Sequence, residues 1–385
     1  MTVVDLINAA QVGHVRRLHG ESPQSGSAGA VELSIVVPTY NERDNIPELV
    51  ERVSAVMDGV AWEMIVVDDD SPDGTARQAR MLGRHDPRIR LIRRIGRRGL
   101  ASACLEGMLA SNAPFVAVMD GDLQHDPLLL RGMIAVLRDG RTDLIVASRR
   151  PAAGSTGDWP EYRETARRLA IRAARAVGSI ALSDPLSGYF ALRREIIDGI
   201  APHLTGAGSK LLLDILLAVP DLRLRELPLA LGPRVRGESK FSPRVVWDYG
   251  VMLAEHRVGP ISGRLLSYLL IAAVALIVHG GTFWLFHELY GLGAGKAQLI
   301  AGTTLCVATY GLREWLSYRQ SGPWRWYLGL LPFLATRTVG LLATLLIARW
   351  LMALGFGMSV SVFAGAVALT WWNYDAVQRY GGFSR

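Results

Sequence analysis

Hydrophobic and polar positions divide the chain into two parts of different character. Residues 1–260 carry short apolar runs among charged residues, whereas residues 265–372 hold four long apolar runs with few charges. In the first part, runs rich in β-branched residues alternate with segments whose apolar residues recur at helical spacing. This alternation predicts an α/β fold, a mainly parallel sheet covered by helices on both faces. The predicted strands lie within 33–37, 63–70, 89–94, 115–122 and 143–148.

The regular alternation stops after residue 150, and the pattern there predicts helices. A basic helix is expected over about 161–180, and a helix at the membrane interface over 245–259, where aromatic, apolar and charged residues are mixed. We therefore expect four segments along the chain, which are a flexible N-terminal extension (1–30), an α/β domain (31–242), the interfacial helix (243–262) and a transmembrane domain (263–385).

The four long apolar runs predict an all-α transmembrane domain. They cover about 265–287, 297–316, 327–348 and 353–372, and each can cross a hydrocarbon core of about 30 Å. Arginines concentrate in the loop between the second and third runs and at the C-terminal tail, which predicts a multi-pass protein with its α/β domain and C-terminus in the cytoplasm. Arg337 falls near the middle of the third run, where it either meets a lipid phosphate or buried partner or extends to the interface.

The charge balance narrows the classes of partner. The formal net charge is +7, which suits nucleic acid, an anionic membrane surface or a phosphorylated substrate. The apolar C-terminal third favours the lipid bilayer over nucleic acid. The basic helix expected over 161–180 either rests on anionic lipid headgroups or is an ordinary solvated helix of a basic protein. The two cysteines predict neither a disulfide framework nor a metal cluster.

Three polar motifs follow predicted strands, at the edge where open α/β sheets bind ligands. They read PTYNE, DDDSPDGT and DGDLQHD. In the last, Asp120 and Asp122 at a strand end would project to one side and chelate Mg²⁺ or Mn²⁺, with Gln124 continuing the series. His125 is expected to pack or to form hydrogen bonds rather than to ligate a metal.

The second motif predicts contacts to a nucleoside. Asp68 and Asp69 can accept hydrogen bonds from a nucleobase or a ribose, whereas Asp73 and Thr75 are expected to cap the next helix. The sequence has no Walker-type glycine loop, so the phosphates of a nucleotide would be held by the metal and by basic residues. The segment RVRGESK (234–240) offers three cations for this purpose, or is an ordinary solvated loop.

Taken together, these motifs resemble a known family. The segments IVVPTYNERDNI, VVDDDSPDGT, MDGDLQHDP, SGYFALRREII and GESK occur in the order and spacing of the family 2 glycosyltransferases, and residues 32–245 resemble the dolichyl- or polyprenyl-phosphate mannosyltransferases. Residues 265–380 resemble a four-span GtrA-like membrane domain more weakly. The resemblance implies a GT-A fold and inverting transfer of one sugar, with mannose from GDP-mannose favoured, to a polyprenyl or dolichyl phosphate at the cytoplasmic membrane face.

The resemblance also assigns residues to roles. It implies Asp120, Asp122 and Gln124 as ligands of Mg²⁺ or Mn²⁺, and it implies Asp122, Arg149 and Arg163 as the catalytic set, with both arginines near the acceptor phosphate. The implied nucleotide-binding residues are Pro38, Tyr40, Glu42, Asp69, Asp120, Arg236, Ser239 and Lys240. Two departures from the family pattern, Asp126 in place of a proline and Ser209 in place of an aromatic residue, weaken any inference about the particular sugar.

Several alternatives stay open. A phosphate monoester is already an anionic nucleophile, so no general base is expected. The donor could instead be UDP-glucose or another nucleotide sugar, and the oligomeric state is open, a homo-oligomer included. A processive polysaccharide synthase is disfavoured because the Q/R-x-x-R-W motif of those enzymes is absent from the Arg-Trp pairs at 325–326 and 349–350. A flippase or scaffold role would fit the membrane half, but the intact acidic motifs oppose it for residues 32–245.

Overall fold

A computed structural model describes most of the first part of the chain and portions of the second. The described residues are 30–149, 161–178, 180–206, 208, 210–232, 243–259, 261–316, 346–357, 360–361, 363–365 and 367. The chain forms two compact units, Met1–Pro260 and Ile261–Arg385. The domain boundaries expected from the sequence stay predictions, since the N-terminal extension lies outside the described residues.

The first unit is built on one seven-stranded sheet with the order β3-β2-β1-β4-β6-β5-β7. All pairings are parallel except those of β6, which runs antiparallel between β4 and β5. The mainly parallel α/β sheet and its first five strands are confirmed, whereas β6 and β7 were not predicted. The strands are β1 (Leu33–Thr39), β2 (Trp62–Asp68), β3 (Ile89–Arg93), β4 (Phe115–Val118), β5 (Leu144–Ser148), β6 (Phe190–Arg193) and β7 (Leu224–Pro228).

Eight helices of the described chain accompany this sheet and cover both of its faces. They are α1 (Ile46–Val56), α2 (Thr75–His85), α3 (Leu100–Leu109), α4 (Leu128–Arg138), α5 (Glu161–Val177), α6 (Arg194–Ile200), α7 (Leu211–Ala218) and α8 (Pro243–Val258). Alternate residues of β1 enter different cores because successive side chains of a strand point to opposite faces. Ile35 and Val37 pack in the core that α1 and α4 complete, whereas Val36 packs in the core that α3, α6 and α7 complete. The two-sided burial explains why β1 is apolar at nearly every position.

A third apolar cluster joins helices α5, α7 and α8. Ile171, Leu213 and Met252, one from each helix, are buried in it. The Tyr249 hydroxyl donates a hydrogen bond to the Ala170 carbonyl at 2.6 Å, which adds a polar link between α8 and α5. The helix predicted over 245–259 is therefore present, with one face packed on the α/β unit; its position at a membrane surface stays a prediction.

The second unit is helical in its described portion. Helix α9 (Ile261–Trp284) continues into a π-helical turn (Leu285–Leu289) and is followed by α10 (Ala294–Leu316). Within the described residues, one helical segment, Leu269–Leu289, is long and apolar enough to cross a membrane. The predicted runs 265–287 and 297–316 fall in these helices. Most of 327–348 and part of 353–372, with Arg337, lie outside the described residues, so the count of four spans stays a prediction.

Candidate active site

The candidate site lies where the direction of the strand order reverses. Strand β1 has β2 on one side and β4 on the other, and the three polar motifs follow these three strands. The Asp69 amide donates to the Thr39 carbonyl at 3.0 Å, which ties the loop after β2 to the end of β1. A Cβ placed on Gly121 would lie 3.3 Å from Thr39 Cγ2, so the acidic motif packs directly against the same strand end. The sheet thus gathers the predicted motifs at one edge, the usual ligand-binding edge of such folds.

The acidic motif is a turn and not the end of a strand. Strand β4 ends at Val118, and Leu123 adopts a left-handed backbone conformation with φ of 64°. The prediction that strand pleating aligns Asp120, Asp122 and Gln124 is therefore wrong. Instead, Asp122 Oδ1 accepts the Gln124 amide hydrogen at 3.2 Å, and Gln124 Nε2 donates to the Gly232 carbonyl at 3.1 Å. Local hydrogen bonds thus fix Asp122 and Gln124 relative to each other and tie Gln124 to the segment at Gly232.

His125 and its neighbours hold this turn in place through hydrogen bonds and ring stacking. Its Nδ1 accepts the Asp120 amide hydrogen at 3.1 Å, and its ring stacks on Tyr189 with 4.8 Å between centroids. The buried Tyr189 hydroxyl donates to the Asp126 carbonyl at 3.0 Å. His125 therefore has the packing and hydrogen-bonding role that the sequence predicts. Asp126 Oδ1 accepts the amide hydrogen of Leu128, the first residue of α4, which accounts for a carboxylate at this position.

The environment of Asp120 and Asp122 suits a divalent cation. Burial raises the pKa of the Asp120 carboxyl; His125 opposes the rise, and the neighbouring Asp122 adds to it. A cation between two partly buried carboxylates would relieve both effects. Within the described ranges no group of three or more histidine, cysteine, aspartate and glutamate side chains could hold a metal ion. Two carboxylates and the Gln124 amide offer oxygen ligands of the kind that Mg²⁺ and Mn²⁺ bind, and these ions usually keep positions for water and substrate phosphate oxygens.

Gly188 permits the close approach of Asp120 to the neighbouring segment. A Cβ at position 188 would lie 3.2 Å from Asp120 Oδ2 and 3.5 Å from Oδ1. The segment before β6 therefore passes directly beside the predicted metal ligand, and any larger residue would push against the carboxylate.

The predicted nucleotide-binding residues of the first motif lie at the end of β1. Pro38 is buried in the strand, and Tyr40 just beyond it carries the Arg98 guanidinium over its ring, 4.3 Å from the centroid. Glu42 Oε2 accepts a hydrogen bond from Asn45 Nδ2 at 2.6 Å. The stacked Arg98 is a cation that the sequence did not single out.

Two adjacent aspartates after β2 have different partners. The fully buried Asp68 carboxylate accepts hydrogen bonds from the Ser71 amide and hydroxyl and from Thr39, so the expectation that it contacts a nucleoside is wrong. Asp69 accepts from Arg94 at 2.7 Å and from the Gly99 amide at 2.7 Å. Burial raises the pKa of the Asp69 carboxyl despite these two partners.

Arg149 is held by a buried carboxylate. Its Nε and one terminal nitrogen donate to the two oxygens of Asp184 at 2.6 and 2.9 Å, and Arg167 approaches the same carboxylate at 3.4 Å. Burial alone would raise the pKa of Asp184, but the hydrogen bond and charge of Arg149 and the charge of Arg167 lower it. Lys210, before α7, belongs to the same electrostatic group. Burial and Arg149 lower its pKa, and the charges of Asp120 and Asp184 act in the opposite direction.

The structure places some predicted residues and leaves others outside its description. Arg163 lies in α5, but its side chain is not among the described ones, and Arg236, Ser239 and Lys240 fall in 233–242, outside the described residues. Sequence reasoning missed the roles of Asp184, Gly188 and Lys210 at this edge. Asp184 lies three residues before the SGY segment and Gly188 lies within it, and that proximity was the available signal.

Comparisons with known proteins agree with this arrangement. Residues 34–200 match the model of the family described as glycosyl transferase family 2, and residues 267–380 match that described as GtrA/DPMS, transmembrane domain. The chain is therefore a membrane protein. A dolichol-phosphate mannosyltransferase from Pyrococcus furiosus is 35% identical over 268 residues, which cover 67% of this chain and 73% of that protein. The enzyme of the same name from Saccharomyces cerevisiae is 34% identical over 235 residues, 59% of this chain and 87% of that one.

Solved structures provide weaker matches. Glucosyl-3-phosphoglycerate synthase from Mycobacterium tuberculosis, in complex with Mn²⁺, UDP-glucose and phosphoglyceric acid, is 21% identical with a TM-score of 0.46, covering 63% of this chain and 87% of that one. The family assignment rests instead on the matched family model and on the relatives above 30% identity. This chain, a glycosyltransferase, belongs to glycosyl transferase family 2.

Proposed function

We propose that the chain transfers one mannosyl group from GDP-mannose to a dolichyl or polyprenyl phosphate at the cytoplasmic face of a membrane, with inversion at the anomeric carbon. The observation that carries this proposal is the juxtaposition of the acidic turn with the Arg149–Asp184 pair beside Lys210. It offers one subsite for a diphosphate and cations for a second anion. The names of the relatives from Pyrococcus furiosus and Saccharomyces cerevisiae support the choice of sugar and acceptor.

The donor would bind at the end of β1 and β4. Pro38, Tyr40, Glu42 and Asp69 line the side of the edge where we place the nucleoside, with Asp69 held by Arg94. Asp120, Asp122 and Gln124 would hold Mg²⁺ or Mn²⁺, and a bound divalent cation would neutralise charge on the leaving diphosphate. Arg236, Ser239 and Lys240 are proposed to contact the diphosphate from the loop after β7.

The acceptor would bind beside Arg149. Asp184 binds the Nε edge of the Arg149 guanidinium and fixes its plane in advance. The other edge of the guanidinium would face the acceptor, since such an edge matches two phosphate oxygens. Arg163 is proposed to assist from α5. An oxygen of the acceptor phosphate then attacks the anomeric carbon, a new carbon–oxygen bond forms, and the bond to the diphosphate breaks. GDP leaves with that electron pair, and no proton needs to be removed.

The test measures transfer by the full chain in detergent. Polyprenyl phosphate is combined with GDP-mannose, UDP-glucose and other nucleotide sugars, with Mg²⁺, Mn²⁺ or a chelator, and the lipid product is analysed by mass. We expect one hexose per lipid from GDP-mannose, no transfer with the chelator, and a loss of at least about 100-fold in Asp122→Ala. A preference for UDP-glucose would refute the proposed donor, a polymer would refute single transfer, and unchanged turnover of Asp122→Ala would refute the metal site.

A further inference from the structure

Another buried carboxylate belongs to a group of residues that the proposed mechanism does not use. Asp214 is fully buried in α7, yet it keeps three polar partners. Its Oδ2 accepts hydrogen bonds from the Thr205 hydroxyl at 2.9 Å and from the Gly206 amide at 3.2 Å. Its Oδ1 lies 2.7 Å from Nε2 of His256 in α8. One carboxylate thus joins the turn before α7 to the helix that directly precedes the second unit of the chain.

Helix α8 contacts the same turn at a second point. A Cβ on Gly208, whose φ is +71°, would lie 3.3 Å from the Cβ of Asp248. Position 208 therefore needs glycine both for its left-handed backbone and for the closeness of α8. The Gly208 carbonyl in turn accepts the Ala101 amide hydrogen of α3 at 3.2 Å. The turn therefore contacts both α3 and α8.

This turn leads directly to Lys210, a residue of the candidate active site. The residue immediately precedes α7, and its carbonyl accepts the Asp214 amide hydrogen at 3.1 Å. Charges of Asp120, Asp184 and Arg149 act on its ammonium group, which places it in the electrostatic field of both subsites. A shift of the backbone at 205–210 would therefore move a cation at the point where two anions must be aligned.

We propose that His256 and Asp214 are positioning residues, through which the docking of α8 fixes residues 205, 206 and 208 of the turn and hence the place of Lys210. Removing one partner of a buried carboxylate strongly destabilises the fold. The bonds to Asp214 therefore hold α8 and the turn in a fixed relative position. Transfer then depends on a helix that is not among the elements proposed to hold either substrate. The inference rests on the proposed function for its activity measurement only, and the structural measurement below is independent of that function.

The first measurement is hydrogen exchange of the full chain in detergent micelles, followed by mass spectrometry of peptides that cover 203–210. His256→Ala removes one partner of Asp214, and His256→Gln can return an amide donor. The matched control is His85→Ala, which alters an exposed histidine at the end of α2. We expect amide exchange of the turn to quicken by about 10–100-fold in His256→Ala, because hydrogen bonds to charged groups are worth that factor. His256→Gln should recover part of the protection, and the control should match the parent chain.

The second measurement is a double-mutant cycle on turnover. His256→Ala is expected to lower kcat by about 10–100-fold, as a small misplacement of an aligning group does, with little change in KM for the donor. In the Lys210→Met background the same substitution should cost less than threefold, because the residue that it positions is already gone. If His256→Ala does not fold, His256→Gln carries the same comparison with a smaller expected loss.

Two results would overturn the inference. Unchanged exchange at 203–210 in His256→Ala would show that the histidine does not hold the turn. Equal fold-losses with and without Lys210 would show that it supports the fold in general and not this cation. A parent chain without mannosyl transfer would refute the proposed function instead, and the exchange experiment would still decide whether His256 holds the turn.

Discussion

Replacing Asp184 by asparagine tests whether its pairing with arginine is buried, because a buried ion pair costs much more stability to break than a surface one. The Asp184 side chain is fully buried, and it faces Arg149 and Arg167, whose side chains are 11% and 5% exposed. Asparagine keeps the shape and removes the charge, so two guanidinium groups would lose their shared anionic partner in a region that excludes most water. Arg167 keeps its pair with Glu164 at 2.9 Å, so the perturbation chiefly removes the buried carboxylate that neutralises Arg149.

The expected loss is large on the scale of protein stability. Breaking a buried pair by removing one partner costs about 3–5 kcal/mol, and the free energy of unfolding of a domain is about 5–15 kcal/mol. For a unit of this size each kcal/mol shifts Tm by about 2–4 °C, which gives a decrease of roughly 6–20 °C. The matched control is Asp86→Asn, because Asp86 also pairs with an arginine, Arg88, but at the surface. Such a pair contributes about 0–1 kcal/mol, so its Tm should fall by no more than about 4 °C.

Acidity provides a second signature of the same group. The folded-state pKa of Asp184 lies below its ordinary value, because Arg149 and Arg167 outweigh the effect of burial. A carboxyl with a lowered folded-state pKa contributes stability that is fully present above its unfolded value, about 4, and is lost as pH falls through the folded-state pKa. The difference in Tm between the parent chain and Asp184→Asn should therefore be constant near neutral pH and should shrink below about pH 4.

The assay is thermal unfolding of the full chain in detergent, followed by circular dichroism between pH 3 and pH 7, with sugar transfer measured at neutral pH. Because Asp184 fixes the plane of Arg149, Asp184→Asn should also raise KM for the polyprenyl phosphate more than KM for the donor. Equal Tm changes in Asp184→Asn and Asp86→Asn would refute the assignment of a buried pair. A large Tm change with an unaltered acceptor KM would refute the positioning of Arg149.

Three further substitutions test the turn and the helices around it. Asp126→Ala removes the hydrogen bond at the start of α4 and should cost about 1 kcal/mol while transfer is kept, and an inactive variant would place Asp126 in the site itself. Gly188→Ala puts a Cβ 3.2 Å from Asp120 Oδ2 and should lower transfer by about 10–100-fold, and full activity would show that Asp120 can move without loss. Gly250→Ala in α8 meets nothing within 4 Å and should raise stability by about 0.5–1 kcal/mol, so a fall in Tm would contradict the helical packing described for that position.

Two-sided burial explains why the sequence pattern predicted β1, β2, β4 and β5, which are buried at every position. The predicted strand β3 lies at a sheet edge and is partly exposed. Alternate residues of β1 enter two different cores, so the strand is apolar at nearly every position and stands out from its surroundings. Strand β6 is also buried at every position but is short, whereas β7 lacks that burial. The four residues of β6 end in Arg193 and lead directly into α6, and β7 occupies a sheet edge with partly exposed positions. Their neighbouring strands are set by tertiary pairing, which the local hydrophobic periodicity of the sequence does not reveal.

The sequence predicted which residues form the candidate site but not the backbone conformation that carries them. The carboxylates at 120 and 122 were assigned to a strand end, but β4 ends at Val118 and a turn follows. The partners that orient the predicted residues lie far along the chain. Asp184 is 35 residues beyond Arg149, and Gly188 meets the carboxylate of Asp120 across the edge of the sheet. Such partners become visible only once the fold brings them together.

The charges around Arg149 bear on the kind of acceptor that this edge can use. A hydroxyl acceptor would need a nearby group that accepts a proton. Asp184 is a poor base at neutral pH, because the guanidinium groups of Arg149 and Arg167 lower its pKa. Asp120, whose pKa is raised by burial, is a proposed metal ligand and would be engaged by the cation. Lys210 adds a third cationic group to the same neighbourhood. An acceptor that arrives as a phosphate needs no base, and its negative charge complements these cations, so the local charge balance favours a phosphorylated acceptor over a free hydroxyl.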